Sequence, residues 1–141
     1  EASLIPALVH AVNDAERLGD HAEDQVELYE LLESGKLALP AEGAQAVREF
    51  QKCLNRMFEG IYVTLEEGND QGAMAAQRVY GELNGLTKKY TDLHVKALDE
   101  GERDMVAGVI YLDSLAHLER IGNHLVNIAE RAVKVSQVLG Q

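Results

Sequence analysis

The sequence predicts an all-α fold, an elongated antiparallel four-helix bundle that takes up the whole of residues 1–141. Three observations predict it. Ala, Leu, Glu and Lys, all strong helix formers, fill long stretches of the chain. Apolar residues recur at spacings of three and four, and no stretch alternates with period two long enough to form a strand. The two prolines, Pro6 and Pro40, lie where helices are expected to start.

Four periodic segments predict helices at about 2–34, 41–67, 71–98 and 102–139. Gly35 is expected as C′, the left-handed residue that follows the first helix, and Gly68-Asn69-Asp70 marks the turn before the third, with Asp70 as its cap. Because the connections are short, consecutive helices should run antiparallel. The fourth helix has the most regular apolar repeat, and its predicted buried residues are Leu115, Leu118, Leu125 and Ala129.

Composition and charge exclude several classes of function. The net charge of −11 argues against binding to nucleic acid or to anionic membrane surfaces, and it suits a basic partner surface.

The single cysteine, Cys53, cannot form an internal disulfide and is predicted to be a buried thiol. No apolar run approaches the ~18 residues of a membrane span. The sequence begins at Glu1 within a helical pattern, so we interpret it as a piece of a longer polypeptide.

An internal repeat links the first and fourth helices. Glu16-Arg17-Leu18-Gly19-Asp20-His21 returns as Glu119-Arg120-Ile121-Gly122-Asn123-His124. The alignment extends outward and pairs His10 with Asp113, Asp14 with His117, Asp24 with Asn127, and Glu27 with Glu130. It predicts a duplicated unit whose two copies are related by an approximate two-fold axis. Gly19 and Gly122 should then each face a neighbouring helix closely.

Each repeat places polar residues in one narrow stripe along its helix, because spacings of three and four share a face. The stripes comprise His10, Asp14, Arg17, His21 and Asp24 on the first helix, and Asp113, His117, Arg120, His124 and Asn127 on the fourth. Three interpretations remain open for them: a solvated face whose charges pair with each other, a metal site, or a site for a phosphate-type anion at the arginines and histidines.

The segment from Leu118 to Glu130 is similar to the signature helix of PhoU and PhoU-like domains. Asp14 to Glu27 fits the first repeat of that family. The upstream residues His94, Leu98, Gly101, Gly108, Tyr111 and Asp113 resemble the version fused behind sodium–phosphate cotransporter membrane domains. The resemblance implies repeated three-helix units, here with the first unit incomplete. It also implies a regulatory role in phosphate uptake, no enzymatic activity and no required cofactor.

Some PhoU relatives bind iron or zinc clusters through acidic E/D-x-x-x-D motifs, and the resemblance carries this to matching positions. Those positions are His10-x-x-x-Asp14 and Asp113-x-x-x-His117, and a later Asp of the family is kept as Asp20. With the stripe residue Asp24 they give the candidate metal ligands His10, Asp14, Asp20, Asp24, Asp113 and His117. Iron or zinc would be the ion. The remaining motif residues are expected to make ion pairs and hydrogen bonds: Glu16, Arg17, Glu119, Arg120, Asn123, Asn127 and Glu130.

The resemblance therefore predicts a regulatory domain on the cytoplasmic face of the plasma membrane, in a parent that is an integral membrane protein. Its partner would be the transporter domain of the same polypeptide, and a homo-oligomer is compatible with this. A free-standing PhoU-type regulator of phosphate import and signalling is the first alternative. A metal-binding helical-bundle enzyme is the second, disfavoured because no Glu lies three residues before a His and no H-E-x-x-H or P-loop is present.

Overall fold

The computed structural model describes residues 4–101 and 104–139. It contains four helices: α1 (Leu4–Ser34), α2 (Gly43–Glu67), α3 (Gln71–Asp99) and α4 (Met105–Leu139). The all-α prediction is confirmed, and no strand occurs in these two ranges. Within the same ranges, every helix lacks the combination of length and apolarity that crossing a bilayer requires.

The helix ends follow local backbone chemistry. The expected starts at 2 and 102 lie outside the described residues. At the end of α1 the left-handed residue is Lys36, with φ of 52°, so the expectation for Gly35 is wrong. The Leu37 N–H donates to the Leu32 carbonyl at 2.8 Å, which satisfies an end carbonyl in the Schellman manner.

The turn between α2 and α3 is partly as expected. Gly68 has φ of 69°, and its N–H bonds back to the Thr64 carbonyl, so it ends α2. Asp70 makes no side-chain cap bond, contrary to the expectation. Instead the Asn69 Oδ1 accepts a hydrogen bond from the Gln71 N–H at 3.0 Å, and an Asn one residue earlier therefore takes the capping role.

The helices pack as a three-helix bundle with one helix added outside. α2, α3 and α4 contact one another, whereas α1 contacts α4 and, within the described residues, neither α2 nor α3. The core lies between α2, α3 and α4, and its fully buried large side chains include Phe50, Met57, Leu83, Tyr90 and Leu125. α4 is thus the central helix, covered on one side by the α2–α3 hairpin and on another by α1.

Two glycines bring α2 and α3 into close contact. A Cβ built on Gly72 would lie 2.1 Å from the Gly60 carbonyl oxygen, and one built on Gly60 would lie 2.5 Å from the Gly72 carbonyl oxygen. Both atoms belong to helix backbone and cannot move aside like a side chain. Glycine is therefore required at both positions by packing.

The predicted face of α4 is mostly confirmed. Leu115, Leu125 and Ala129 are buried, whereas Leu118 is only half-buried. A Cβ on Gly122 would lie 3.1 Å from Leu83 of α3, so Gly122 faces its neighbour as expected. Gly19 is exposed, and a Cβ built on it would have no packing neighbour within 4 Å. That expectation is wrong because, within the described residues, no helix covers the side of α1 that carries Gly19.

The side of α1 that carries Gly19 is exposed and bears apolar residues. We define the outer face of α1 by five of the exposed large apolar residues of this helix, Ile5, Leu8, Val9, Val12 and Val26. The repeat aligns Val12 with Leu115 and Val26 with Ala129. Val12 is 65% exposed whereas Leu115 is 1% exposed, because α2 and α3 cover α4 at this position.

Candidate functional site

The two polar stripes of the repeats face each other across the α1–α4 contact. α1 and α4 run antiparallel, so the N-terminal part of the stripe on α1 lies beside the C-terminal part of the stripe on α4, and the reverse. Gln25 of α1 donates from Nε2 to the Ser114 carbonyl oxygen at 2.6 Å, and the Ser114 hydroxyl donates to Gln25 Oε1 at 2.8 Å. Both residues are buried. These two residues and the buried members of the stripes therefore form a polar seam between the helices, while His10, Arg17, Asp113 and Arg120 of the stripes are exposed.

At one end of this seam lies a triad of His21, Asp24 and His117. The two histidine Nδ1 atoms are 3.1 Å apart. Asp24 Oδ2 lies 3.5 Å from the Nδ1 of His21 and 3.3 Å from the Nδ1 of His117. The histidine side chains are largely buried, whereas that of Asp24 is 43% exposed. Three potential metal ligands from two helices thus converge on one point that solvent can reach.

At the other end lies a second triad of Asp14, His124 and Asn127. Asp14 Oδ1 is 2.8 Å from the Nδ1 of His124 and accepts a hydrogen bond from Asn127 Nδ2 at 3.3 Å. The Arg131 guanidinium pairs with the other oxygen, Asp14 Oδ2, at 2.8 Å. The buried carboxylate of Asp14 is therefore neutralised by a cation of the same chain.

The two triads are related by the repeat. The sequence alignment pairs Asp14 with His117 and His21 with His124, so the Asp14–His124 contact is the counterpart of the His117–His21 contact. In the same way the Asn127–Asp14 contact is the counterpart of the Asp24–His117 contact. This exchange of partners is what an approximate two-fold axis between α1 and α4 produces, as the repeat predicts.

Burial also affects protonation at the first triad. The pKa of His21 is lowered from its ordinary value, chiefly by burial, and further by His117, His124 and Arg120 nearby, while the hydrogen bond with Asp24 opposes the shift. The ring of His124 stacks on that of His21 at 5.5 Å between centroids. The neutral imidazole is therefore favoured at His21.

The other predicted ligands lie away from the triads. His10, Asp20 and Asp113 are exposed, and His10 lines a cavity with Glu130, Arg131 and other residues near the start of α1. Of the six predicted metal ligands, the structure brings together Asp24 and His117 and places Asp14 in the second triad. Asp14 already forms a salt bridge with Arg131, so its carboxylate is less available to bind a metal ion.

The remaining motif residues divide between solvent and α3. Glu16, Arg17 and Arg120 are exposed, and neither arginine makes a salt bridge within the described residues. Glu119 accepts a hydrogen bond from the Tyr80 hydroxyl at 2.7 Å, and Asn123 Nδ2 donates to the same hydroxyl at 3.1 Å.

One further hydrogen bond joins α3 and α4. Gln77 Nε2 donates to Glu130 Oε1 at 3.1 Å. Burial and the hydrogen bond to Glu119 raise the pKa of Tyr80. These motif residues of α4 therefore hold α3 in place.

Three ionisable residues of the seam were not predicted as site residues: His21, His124 and Arg131. The first two belong to the predicted stripes, and the sequence held a signal for them. Antiparallel helices that carry the same stripe and face each other must bring the histidines of one repeat to those of the other. Arg131 had no such signal, because its counterpart in the first repeat is the apolar Leu28.

Comparison with known proteins agrees with this architecture. The model of the PhoU domain family matches residues 47–132, which span most of α2, all of α3 and most of α4. No curated protein and no solved structure matches the chain. The PhoU family is regulatory and non-enzymatic, and the match indicates a phosphate-related regulatory role. Since the match covers more than half of the sequence, the chain belongs to the PhoU domain family.

Proposed function

We propose that this PhoU domain regulates a sodium-dependent phosphate cotransporter, that the transporter domain belongs to the same polypeptide, and that the domain acts from the cytoplasmic face of the plasma membrane. The observation that carries the proposal is the PhoU match over residues 47–132. The resemblance of the stretch from His94 to Asp113 to the cotransporter-fused version supports the choice of transporter.

The outer face of α1 supplies a surface for this regulation. Its counterpart on α4 packs against a helical hairpin, formed by α2 and α3. Exposed apolar residues cluster on α1 from Ile5 to Val12 and recur at Val26, with exposed Ala and Glu residues between them, which gives an apolar surface suited to helix packing. We therefore assign this face to helices of the parent polypeptide that link the PhoU domain to the transporter.

Charge supports the same partner. The chain carries a net charge of −11. Cytoplasmic loops of membrane proteins are enriched in Lys and Arg, so they complement an acidic domain. An apolar strip on an acidic domain thus matches a helical partner with basic loops.

Docking regulates transport only if the domain binds two transporter states with different affinities. A tenfold difference in affinity corresponds to about 1.4 kcal/mol and shifts the ratio of the two states by the same factor. The expected result of perturbing the docking face is therefore a change in uptake rate or in apparent phosphate affinity, with the amount of transporter in the membrane unchanged.

The test is a pair of charge substitutions on the outer face of α1 in the full-length parent. Val12→Asp and Val26→Asp place a carboxylate on side chains that are 65% and 57% exposed, so the isolated domain should keep its fold. Asn55→Asp on α2 is the matched control, since it adds the same charge at an exposed position elsewhere. We expect altered sodium-dependent phosphate uptake for the α1 variants only.

Uptake that is the same for Val12→Asp, Val26→Asp, Asn55→Asp and wild type would reject the docking surface. Circular dichroism of each isolated variant is the control for folding.

A free-standing PhoU regulator is the second candidate, favoured by the same exposed apolar strip. In that case a second copy of the chain would cover the outer face of α1. Sedimentation analysis would then show a dimer that Val12→Asp weakens and Asn55→Asp does not. A monomer at all tested concentrations would oppose this candidate and leave the strip for a covalently linked partner.

A further inference from the structure

The first triad has the dimensions of a metal site. Its three edges, between the Nδ1 atoms of His21 and His117 and Oδ2 of Asp24, measure 3.1, 3.3 and 3.5 Å. A tetrahedral zinc site with metal–ligand bonds of about 2.0–2.1 Å has edges of about 3.3–3.4 Å between its ligand atoms. An ion above this triangle would therefore reach all three atoms with little movement of the side chains, and a fourth position would remain for water.

Hydrogen bonds cannot account for all three close atom pairs of the triad at once. Each histidine Nδ1 carries at most one hydrogen, and the carboxylate carries none. If both Nδ1 atoms are protonated, two N–H groups face each other across 3.1 Å. If only one is protonated, the other directs its lone pair at the carboxylate oxygen. A cation bound at the centre makes all three contacts favourable.

The second triad, at the equivalent place in the repeat, differs from the first in how its carboxylate is neutralised. There the guanidinium of Arg131 neutralises Asp14 at 2.8 Å. The residue aligned with Arg131 in the first repeat is Leu28, and within the described residues no Lys or Arg forms a salt bridge with Asp24. The first triad therefore occupies the equivalent place with its carboxylate at Asp24, the counterpart of Asn127, and among the described residues no internal cation pairs with that carboxylate.

From these observations we propose that His21, Asp24 and His117 bind one divalent transition-metal ion of the zinc type. Two imidazole nitrogens and one carboxylate oxygen are a typical ligand set for zinc, with water in the fourth position. The 43% exposure of Asp24 gives the ion a route from solvent. Asp20 and Asp113, the exposed acids of the motif, take no part in this site.

The site would join the two repeats. His21 and Asp24 belong to α1 and His117 belongs to α4, and α4 is the only helix in the described part of the chain that α1 contacts. A bound ion would therefore stabilise the attachment of α1. It would raise the protection of α1 amides from hydrogen exchange more than that of α2 or α3.

The test uses the 141-residue chain without an affinity tag and with Co²⁺ and Zn²⁺ as probes. Wild type should give the intense visible absorption of tetrahedral Co²⁺, which Zn²⁺ abolishes by displacement, and Zn²⁺ should raise the melting temperature. Asp24→Asn and His117→Gln should each weaken Zn²⁺ binding by at least about tenfold in calorimetry. Asp20→Asn and Asp113→Asn, exposed acids outside the triad, are the matched controls and should bind like wild type.

Three results would overturn the site: no Zn²⁺ binding by wild type, octahedral Co²⁺ spectra, or affinities unchanged in both triad variants. Loss of binding in Asp20→Asn or Asp113→Asn would place the ion on the acidic motif instead. Asp24→Asn keeps the test decisive if His117→Gln fails to fold, because Asp24 is the more exposed of the two side chains.

Discussion

Replacing Gly72 by alanine should destabilise the domain although alanine favours helix formation. The new Cβ would lie 2.1 Å from the Gly60 carbonyl oxygen, 2.8 Å from Thr64 Oγ1 and 2.9 Å from the Thr64 backbone nitrogen. Ordinary contact begins near 3.4 Å, so α2 and α3 would have to separate by about 1.3 Å (3.4 minus 2.1) at this point. The contacts are mainly with backbone, which cannot rotate away.

The magnitude follows from two opposing contributions. Overpacking of this kind costs about 1–3 kcal/mol or more, and the gain in helix propensity returns at most ~1 kcal/mol. We expect Gly72→Ala to lower the free energy of unfolding by about 1–2 kcal/mol net, a fall in melting temperature of roughly 3–8 °C for a domain of this size.

Gly81→Ala is the matched control in the same helix, since Gly81 is exposed and a Cβ added there would have no packing neighbour within 4 Å. It should raise the free energy of unfolding by about 0.5–1 kcal/mol. Urea unfolding followed by circular dichroism measures both variants. Equal stability of Gly72→Ala and Gly81→Ala would refute the close approach of α2 and α3.

Three further predictions concern single side chains. Leu125→Ala should cost about 2–5 kcal/mol in urea unfolding because Leu125 is fully buried, and half-buried Leu118→Ala should cost less; equal costs would show a different packing of α4. Arg131→Gln should cost about 1–3 kcal/mol by leaving the Asp14 carboxylate without its cation; unchanged stability would show that the pair contributes nothing. Burial raises the pKa of the Cys53 thiol, so maleimide labelling should be far slower in the native protein than in urea, and equal rates would contradict the burial.

The sequence predicted the helices well because their signals are local. Apolar spacing identified four helices, and Leu115, Leu125 and Ala129 were placed correctly in the core. The errors at Gly35 and Asp70 are one-residue shifts within turns, where Lys36 and Asn69 take the expected roles. Such shifts depend on backbone torsions that composition alone does not determine.

The site was predicted only in part because its geometry is non-local. The sequence repeat identified both polar stripes, and Asp24 and His117 were among the predicted ligands. That the stripes face each other depends on how α1 crosses α4, and spacing within one helix contains no information on this. The prediction for Gly19 was wrong for a related reason. Its counterpart Gly122 faces α3, whereas in the described part of the chain no helix covers the side of α1 that carries Gly19.

The proposed regulation of phosphate uptake is tested most directly by removing the domain from its parent. Sodium-dependent uptake of labelled phosphate would be measured over a range of sodium and phosphate concentrations, for the full-length protein and for a version ending before α1, at equal levels in the membrane. We expect removal to change the maximal rate or the apparent phosphate affinity, and co-expression of the domain to restore it in part. Identical kinetics with and without the domain would contradict the proposed function.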